Sequence, residues 1–332
     1  MTAIIRKVNF KSYVQPPHQS IVNGQKIEER PGWHVRIETN ESTVGMGDIA
    51  PWPGFSRPAT AIEPTLERIA LQLQDAILPN MANLDAWTKK VSLDPVVCHG
   101  VELAVLDIIG QKQDLPISAL FASEVLAEVS CHALVSNQAE AKRAFEAGAE
   151  VLKVKIGNDH QTDLRRLAAI RAAVPTAKLR LDVNGAWKTE EAHAYVNECL
   201  SVEPSIIEQP VAAHEFDALS MIADRVACDV SADESMVLNA ERTLQIHPLS
   251  EVVLKPMFLG GLCRTANLVK KAQVLGFSVC ITHALESNVG RLGALHLAAA
   301  VGGQATHGLG GMSEAVGGRL AVPKTPGLGE WC

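Results

Sequence analysis

Residues 151–157 read VLKVKIG. On a β-strand alternate side chains share a face, so Leu152, Val154 and Ile156 point one way and Lys153 and Lys155 the other. The rest of the run is apolar, which places the strand inside a fold. Unpaired buried charge is very costly, and such groups pair, bind a metal or shift their pKa. Two ammonium groups on one face of an interior strand therefore need acidic partners nearby.

Similar runs follow along the chain. From about residue 126 short apolar stretches recur, each followed by an Ala/Leu-patterned helix. They are EVSCHALV (128–135), VLKVKIG (151–157), LRLDVNG (179–185), SIIEQP (205–210), DVSADES (229–235), EVVLKP (251–256), FSVCITH (277–283) and QATHGLG (304–310). Parallel strands covered on both faces read as continuous apolar runs. Eight strand–helix steps predict an α/β fold, a (β/α) barrel over residues 126–314. An open doubly wound sheet is the alternative, but no GxGxxG or GxxxxGK[ST] follows the first strand.

The central runs each carry charge near their C-terminal ends: Lys153 and Lys155, Asp182, Glu208, Asp233 with Glu234, and Lys255. That end of a parallel barrel is where active sites are built. Three carboxylates on adjacent strands are hard oxygen donors suited to Mg²⁺ or Mn²⁺, and no Cys/His cluster competes for zinc. Lysines crowded against one another and a cation, and desolvated, are expected to have lowered pKa values, so that one serves as a neutral base. Each residue has a plainer explanation when taken alone. A K-x-K pair is usually a solvated strand face, and Asp182, or Asp233 and Glu234 ahead of Ser235, could cap the next helix. Lys, Asp, Glu, Asp and Lys at one depth on five successive strands are not explained by five independent caps.

The first third has a different rhythm. Residues 3–14, 33–38 and 42–49 read as strands without helices between them. Trp33, Val35 and Ile37 alternate with His34, Arg36 and Glu38, and the three strands suggest an antiparallel meander. Residues 62–78 place Leu66, Ile69, Leu73 and Ile77 at helical spacing, and 96–109 are almost wholly apolar. An α+β unit over 1–125 is expected, with the Pro/Gly-rich tail 315–332 packing back on it.

The chain has 332 residues, 47% apolar and 20% charged, with a net charge of −7. This predicts a substantial core and argues against a nucleic-acid partner, which would need a basic face. It leaves room for a small anionic substrate facing a local lysine cluster. Seven cysteines without CxxC spacing suit free thiols in a reducing compartment. The N-terminal MTAIIRKVNF has no secretory apolar region, and no apolar run reaches about 18 residues. A cytoplasmic protein without a membrane partner is expected; the oligomeric state is not readable.

Lys153-x-Lys155, Asp182 in LDVNGAW, Glu208 in IEQP, Asp233 in ADES and Lys255 in LKP together resemble the enolase superfamily, and within it the muconate-lactonizing-like subgroup. The resemblance implies a modified TIM barrel, (β/α)7β-like, behind an N-terminal α+β capping domain. It implies Mg²⁺ on Asp182, Glu208 and Asp233. Lys155 would be the base, Lys153 would touch the substrate carboxylate, and Lys255 would act from the opposite face.

Within the subgroup the o-succinylbenzoate synthase family is most similar. GMGDIAPWPGFS (45–56) resembles its G-x-G-E-x-S-P-L-P-G-F-S segment, Arg180 precedes the metal Asp by two residues as it does there, and THALESNVGRLG resembles its seventh-strand E-S-x-x-G segment. Asp48 replaces the usual Glu, Gly185 stands where that family has Arg, and Thr282, His283 and Ala284 replace a serine-rich stretch. The implied reaction is a lyase step, dehydration of 2-succinyl-6-hydroxy-2,4-cyclohexadiene-1-carboxylate to 2-succinylbenzoate in quinone biosynthesis. Substrate or supporting contacts are expected from Arg180, Asn184, Glu234, Gly260, Thr282, Ser287, Gly308, Phe55 and Ser56, with loops 15–30 and 45–56 as a lid. The alternative on the same scaffold is an N-acylamino acid racemase or a dipeptide epimerase. Dipeptide epimerases usually carry D-x-D near the eighth strand, where this chain reads HGLGGMSEA.

Overall fold

The computed structural model describes residues 3–15, 21–22, 25–26, 29–303, 305–310 and 318–330. Most of the expected 15–30 lid lies outside them, as do residues 311–317.

The meander forms as the alternation predicts. Strands β1 (Ile5–Gln15), β4 (Arg30–Thr39) and β5 (Val44–Ile49) make an antiparallel sheet in the order β1-β4-β5, while β2 (Ile21–Val22) and β3 (Gln25–Lys26) pair with each other. Trp33, Val35 and Ile37 of β4 are buried. Helix α1 (Ala59–Leu73) is shorter than the pattern suggested, because Asp75 takes a left-handed turn and leaves Ile77 exposed. After α2 (Leu84–Val91), α3 (Pro95–Gln113) starts at Asp94, whose carboxylate accepts the Val96 N–H, with proline in the first turn where its missing N–H costs nothing. Strand β5 lies against α3 so closely that a Cβ at Gly47 would sit 1.9 Å from the Gly100 carbonyl oxygen. The G-x-G of residues 45–47 is therefore a packing requirement between strand and helix.

The second part alternates as read. The strands are β7 (Ala133–Leu134), β8 (Val151–Lys155), β9 (Lys178–Asp182), β10 (Ile206–Glu208), β11 (Asp229–Ala232), β12 (Glu251–Leu254) and β13 (Ser278–Ile281). They form one parallel sheet in sequence order. Between them run α4 (Gln138–Glu146), α5 (His160–Ala173), α6 (Thr189–Cys199), α7 (Phe216–Arg225), α8 (Glu234–Thr243), the short α9 (Pro256–Leu259) and α10 (Leu262–Val274). Helix α11 (Asn288–Val301) follows β13, and β6 (Glu128–Ser130) pairs antiparallel with β14 (Arg319–Ala321).

Two expectations are corrected here. The run 128–135 is not one strand: the chain changes partner at Cys131, leaving β6 to β14 and β7 to the barrel. The run 304–310 is not a full strand either. It closes the ring by single bridges, His307 to Cys131 and Gly308 to Thr282. From the tail, the Gly327 and Leu328 N–H groups bond to Leu115 and to Asp107 of α3.

Three histidines are locked in the interior as neutral rings. Burial pushes His99 down to about 3 and His296 and His307 down to about 4. The His307 Nδ1 accepts the Ile281 N–H at 3.0 Å, so a proton there would oppose a donor. The unfolded chain takes up these protons near pH 6.5 and the folded chain does not, so stability is full above that pH and falls as pH drops toward 4. At pH 5 the expected loss is roughly 2 kcal/mol per histidine. Thermal unfolding from pH 7.5 to 4.5 checks it, and a flat Tm across that range would contradict it.

Candidate active site

Strand register assembles the site. Lys155 pairs with Asp182 and Asp182 with Glu208, so three adjacent strands present these side chains at one level. One pleat deeper Lys153 pairs with Arg180. Asp233 lies just past β11 and Lys255 just past β12. Apart from the buried Glu208 and Arg180, these side chains open toward the C-terminal mouth, into a cavity of about 480 Å³. Lys153, Lys155, Asp182, Asn184, Asp233, Glu234 and Lys255 line it, under a wall formed by Trp52, Phe55 and Phe258.

The lysines are held differently. The Lys153 Nζ donates to Asp182 Oδ2 at 2.8 Å and to Glu208 Oε1 at 2.9 Å. Lys255 pairs with Asp233 and lies 5.6 Å over the Phe55 ring, which stacks on Phe258. Lys155 donates to Asn184 Oδ1 at 3.0 Å, and the Asn184 amide donates to Glu234 Oε1 at 3.1 Å. Among the described residues no carboxylate pairs with Lys155.

At two of the three lysines neighbouring carboxylates outweigh burial. Burial works against the Lys153 charge, but Asp182 and Glu208 together raise its pKa; burial likewise opposes Lys255, and Asp233 and Glu234 raise it. Glu208 is held well below the usual carboxylate range against its burial, by Lys153 and Arg180, whose Nε donates to it at 2.6 Å. Asp233 is pushed up to about 6 by burial and the neighbouring carboxylates, against Lys255, and Glu234 up to about 8 by burial and Asp233.

The capping explanation for Asp233 is settled by a residue the sequence did not single out. The Gln209 Oε1 accepts the backbone N–H groups of Asp233 (2.9 Å) and Ser235 (3.1 Å). Gln209 serves the start of α8, and the Asp233 carboxylate makes no cap bond.

The other expected contacts divide. Thr282, Gly308 and Phe55 line the cavity, with the Thr282 hydroxyl bonded to the Gly308 carbonyl at 2.9 Å. Arg180 is buried beneath it, between Glu208 and Glu251. Three residues lie outside the cavity wall. Ser56 accepts the Trp52 N–H and fixes the 52–56 turn. The Ser287 hydroxyl donates to Asp48 at 2.7 Å. Gly260 ends α9 in a left-handed turn. The His283 Nδ1 accepts the Leu285 N–H, and its Nε2 bonds to the Gly310 carbonyl beyond α11. His132, Leu134 and Arg291 also line the cavity and were not anticipated. His132 immediately precedes β7 and Leu134 is its last residue.

As the side chains stand, no three carboxylate, imidazole or thiol groups among the described residues share a point that could hold a metal ion. Ammonium groups engage the carboxylate oxygens. The donor set still fits a hard divalent ion, with three buried carboxylates at one end of adjacent strands and like-charge crowding at Asp233 that a cation would relieve.

Residues 137–330 match the family described as enolase C-terminal domain-like. The chain belongs to the enolase superfamily. It is 29% identical to the hydrophobic dipeptide epimerase of Enterococcus faecalis, over 82% of this chain and 80% of that one. It is 28% identical to the o-succinylbenzoate synthase of Pectobacterium atrosepticum, over 86% and 84%. The solved dipeptide epimerase of Enterococcus faecalis, complexed with Mg and the dipeptide L-Leu-L-Tyr, superposes with a TM-score of 0.87 at 24% identity, over 99% of both chains. Like its superfamily relatives the chain is an α/β-barrel enzyme. Among the described residues no helix is long and apolar enough to cross a membrane.

Proposed function

We propose that this enzyme is a Mg²⁺-dependent racemase or epimerase that inverts the α-carbon of N-acylated amino acids, dipeptides among them. The observation that carries the reading is the pair of lysines facing one cavity from strands four places apart in the sheet, Lys155 on β8 and Lys255 after β12. Inversion needs a proton taken from one side of the tetrahedral α-carbon, which then becomes planar, and a proton returned to the opposite face, and two amines on opposite sides supply both. Asp182, Glu208 and Asp233 would hold the ion. When bound, it supplies positive charge for the substrate carboxylate as the α-carbon loses its proton. Lys153 would contact that carboxylate, and Asn184 would orient Lys155. The apolar wall of Trp52, Phe55 and Leu134 suits a hydrophobic side chain.

The resemblance ranked dehydration first, whereas the epimerase relative, at similar identity, supports inversion. Dehydration to 2-succinylbenzoate is the second reading, favoured by the PGFS segment and the synthase relative. Proton NMR in D₂O with Mg²⁺ separates the two. A panel of dipeptides and N-acylamino acids is expected to lose α-proton signal and gain the inverted isomer. Ultraviolet conversion of the cyclohexadiene with no exchange in the panel would establish the second reading instead.

A further inference from the structure

Helix α3 carries a buried carboxyl that this chemistry does not use. Glu102 is fully buried and faces the start of α10, where its Oε1 accepts the Cys263 N–H at 2.9 Å. The helix has only Gly261 at its own N-cap position, and Gly261 has no side chain to accept a bond. Glu102 packs so close that a Cβ on Gly261 would lie 2.4 Å from Oε1. One chain segment thus supplies the cap that another lacks.

The capped segment begins at Lys255. The Phe258 and Leu259 N–H groups bond to the Lys255 carbonyl at 3.0 Å, and the Gly261 N–H bonds to the Pro256 carbonyl at 3.0 Å. Gly260 and Gly261 both have positive φ, so the turn has little intrinsic stiffness. Its fixed points are the Lys255 carbonyl at one end and Glu102 at the other. Phe258, whose ring stacks on Phe55 beneath Lys255, lies between them. We propose that Glu102 is a positioning residue for Lys255: through the cap of α10 it sets the turn that aims this lysine at its face of the substrate.

The inference rests on the two-lysine reading above and predicts an asymmetric defect. In such an enzyme each lysine exchanges the α-proton of one stereoisomer. Glu102→Met keeps the length and apolar volume of the side chain but removes the acceptor. Glu102→Gln keeps the acceptor, and it also matches the protonated form that burial favours by pushing Glu102 up to about 8.

The test measures deuterium exchange into L-Ala-L-Leu, L-Ala-D-Leu and N-succinyl-L- and -D-phenylalanine with Mg²⁺, together with amide hydrogen exchange over residues 256–263. E102M is expected to slow exchange of one isomer by about tenfold to 100-fold, the scale of a misplacement near 1 Å, with the other isomer changed less than about twofold. It is also expected to lose protection at Leu262 and Cys263. E102Q should restore both. Equal slowing of both isomers, or none, overturns the proposal. If the wild-type enzyme exchanges no probe, the racemase reading falls for these substrates. Amide protection then decides alone, and unchanged protection at Leu262 and Cys263 in E102M overturns the role of Glu102.

Discussion

Lys155→Ala is expected to cripple turnover, lowering kcat by about 10²- to 10⁴-fold with little change in KM, the range a positioned general base supplies. The contacts single this lysine out. Lys153 is clamped between Asp182 and Glu208, and Lys255 is paired with Asp233, so both ammonium groups face full negative charges. Lys155 faces the neutral amide of Asn184. It is thus the lysine that can take a substrate proton without first breaking an ion pair. The same variant divides the two readings of function. If two lysines work opposite faces, the alanine enzyme cannot invert its substrate, yet Lys255 still exchanges the proton of one isomer with solvent. If a single base drives dehydration, removing it leaves no exchange and no product. Single-turnover assays on both substrate classes check the prediction. Residual inversion above about 10% of the wild-type rate would remove Lys155 from its role, because no loss near the general-base range would remain.

Much of this site could be read from the sequence, for a physical reason. A parallel barrel strand is short and buried on both sides, so a charge at its C-terminal end stands out against apolar neighbours. Lys153, Lys155, Asp182 and Glu208 stood out in that way, and the register sets the last three level. Lys255 was found by the same signal although it sits one residue past its strand, as the first anchor of the following turn. The signal fails where partners change or where hydrogen bonds do the work. Cys131 looks like mid-strand in the sequence, but the chain switches sheets there. Residues 305–310 have the apolar–glycine texture of a strand but form only bridges. Gln209 is part of a familiar segment, yet its task, capping α8 so that Asp233 need not, depends on two backbone N–H groups contributed 24 and 26 residues later. Carboxylate contacts are equally hidden in the sequence: Lys153 and Lys255 are each shifted upward, against burial, by acids that only the fold brings to them.

Removing divalent metal is expected to abolish activity and lower thermal stability together, and two substitutions should separate these effects. Asp182, Glu208 and Asp233 are buried, so an ion that binds the folded chain alone stabilises it by about 2.7 kcal/mol at a hundred times its Kd. Addition of Mg²⁺ to EDTA-treated protein should therefore raise Tm by several degrees. Asp233→Asn should erase most of that rise and cost activity about 10³-fold, on the scale of lost electrostatic stabilisation, while changing metal-free stability little. The reason is geometric: Lys255 is the charge paired with Asp233, and it borders the open cavity. Glu208→Gln should behave differently. Glu208 receives both Lys153 and the buried Arg180, and removing it leaves two cations short of charge, a loss of about 3–5 kcal/mol even without metal. Differential scanning calorimetry of both variants with and without Mg²⁺ provides the check. Equal metal-free stability in the two variants would mean that Glu208 does not neutralise this cluster, and an intact Mg²⁺ response in Asp233→Asn would take that residue out of the metal site.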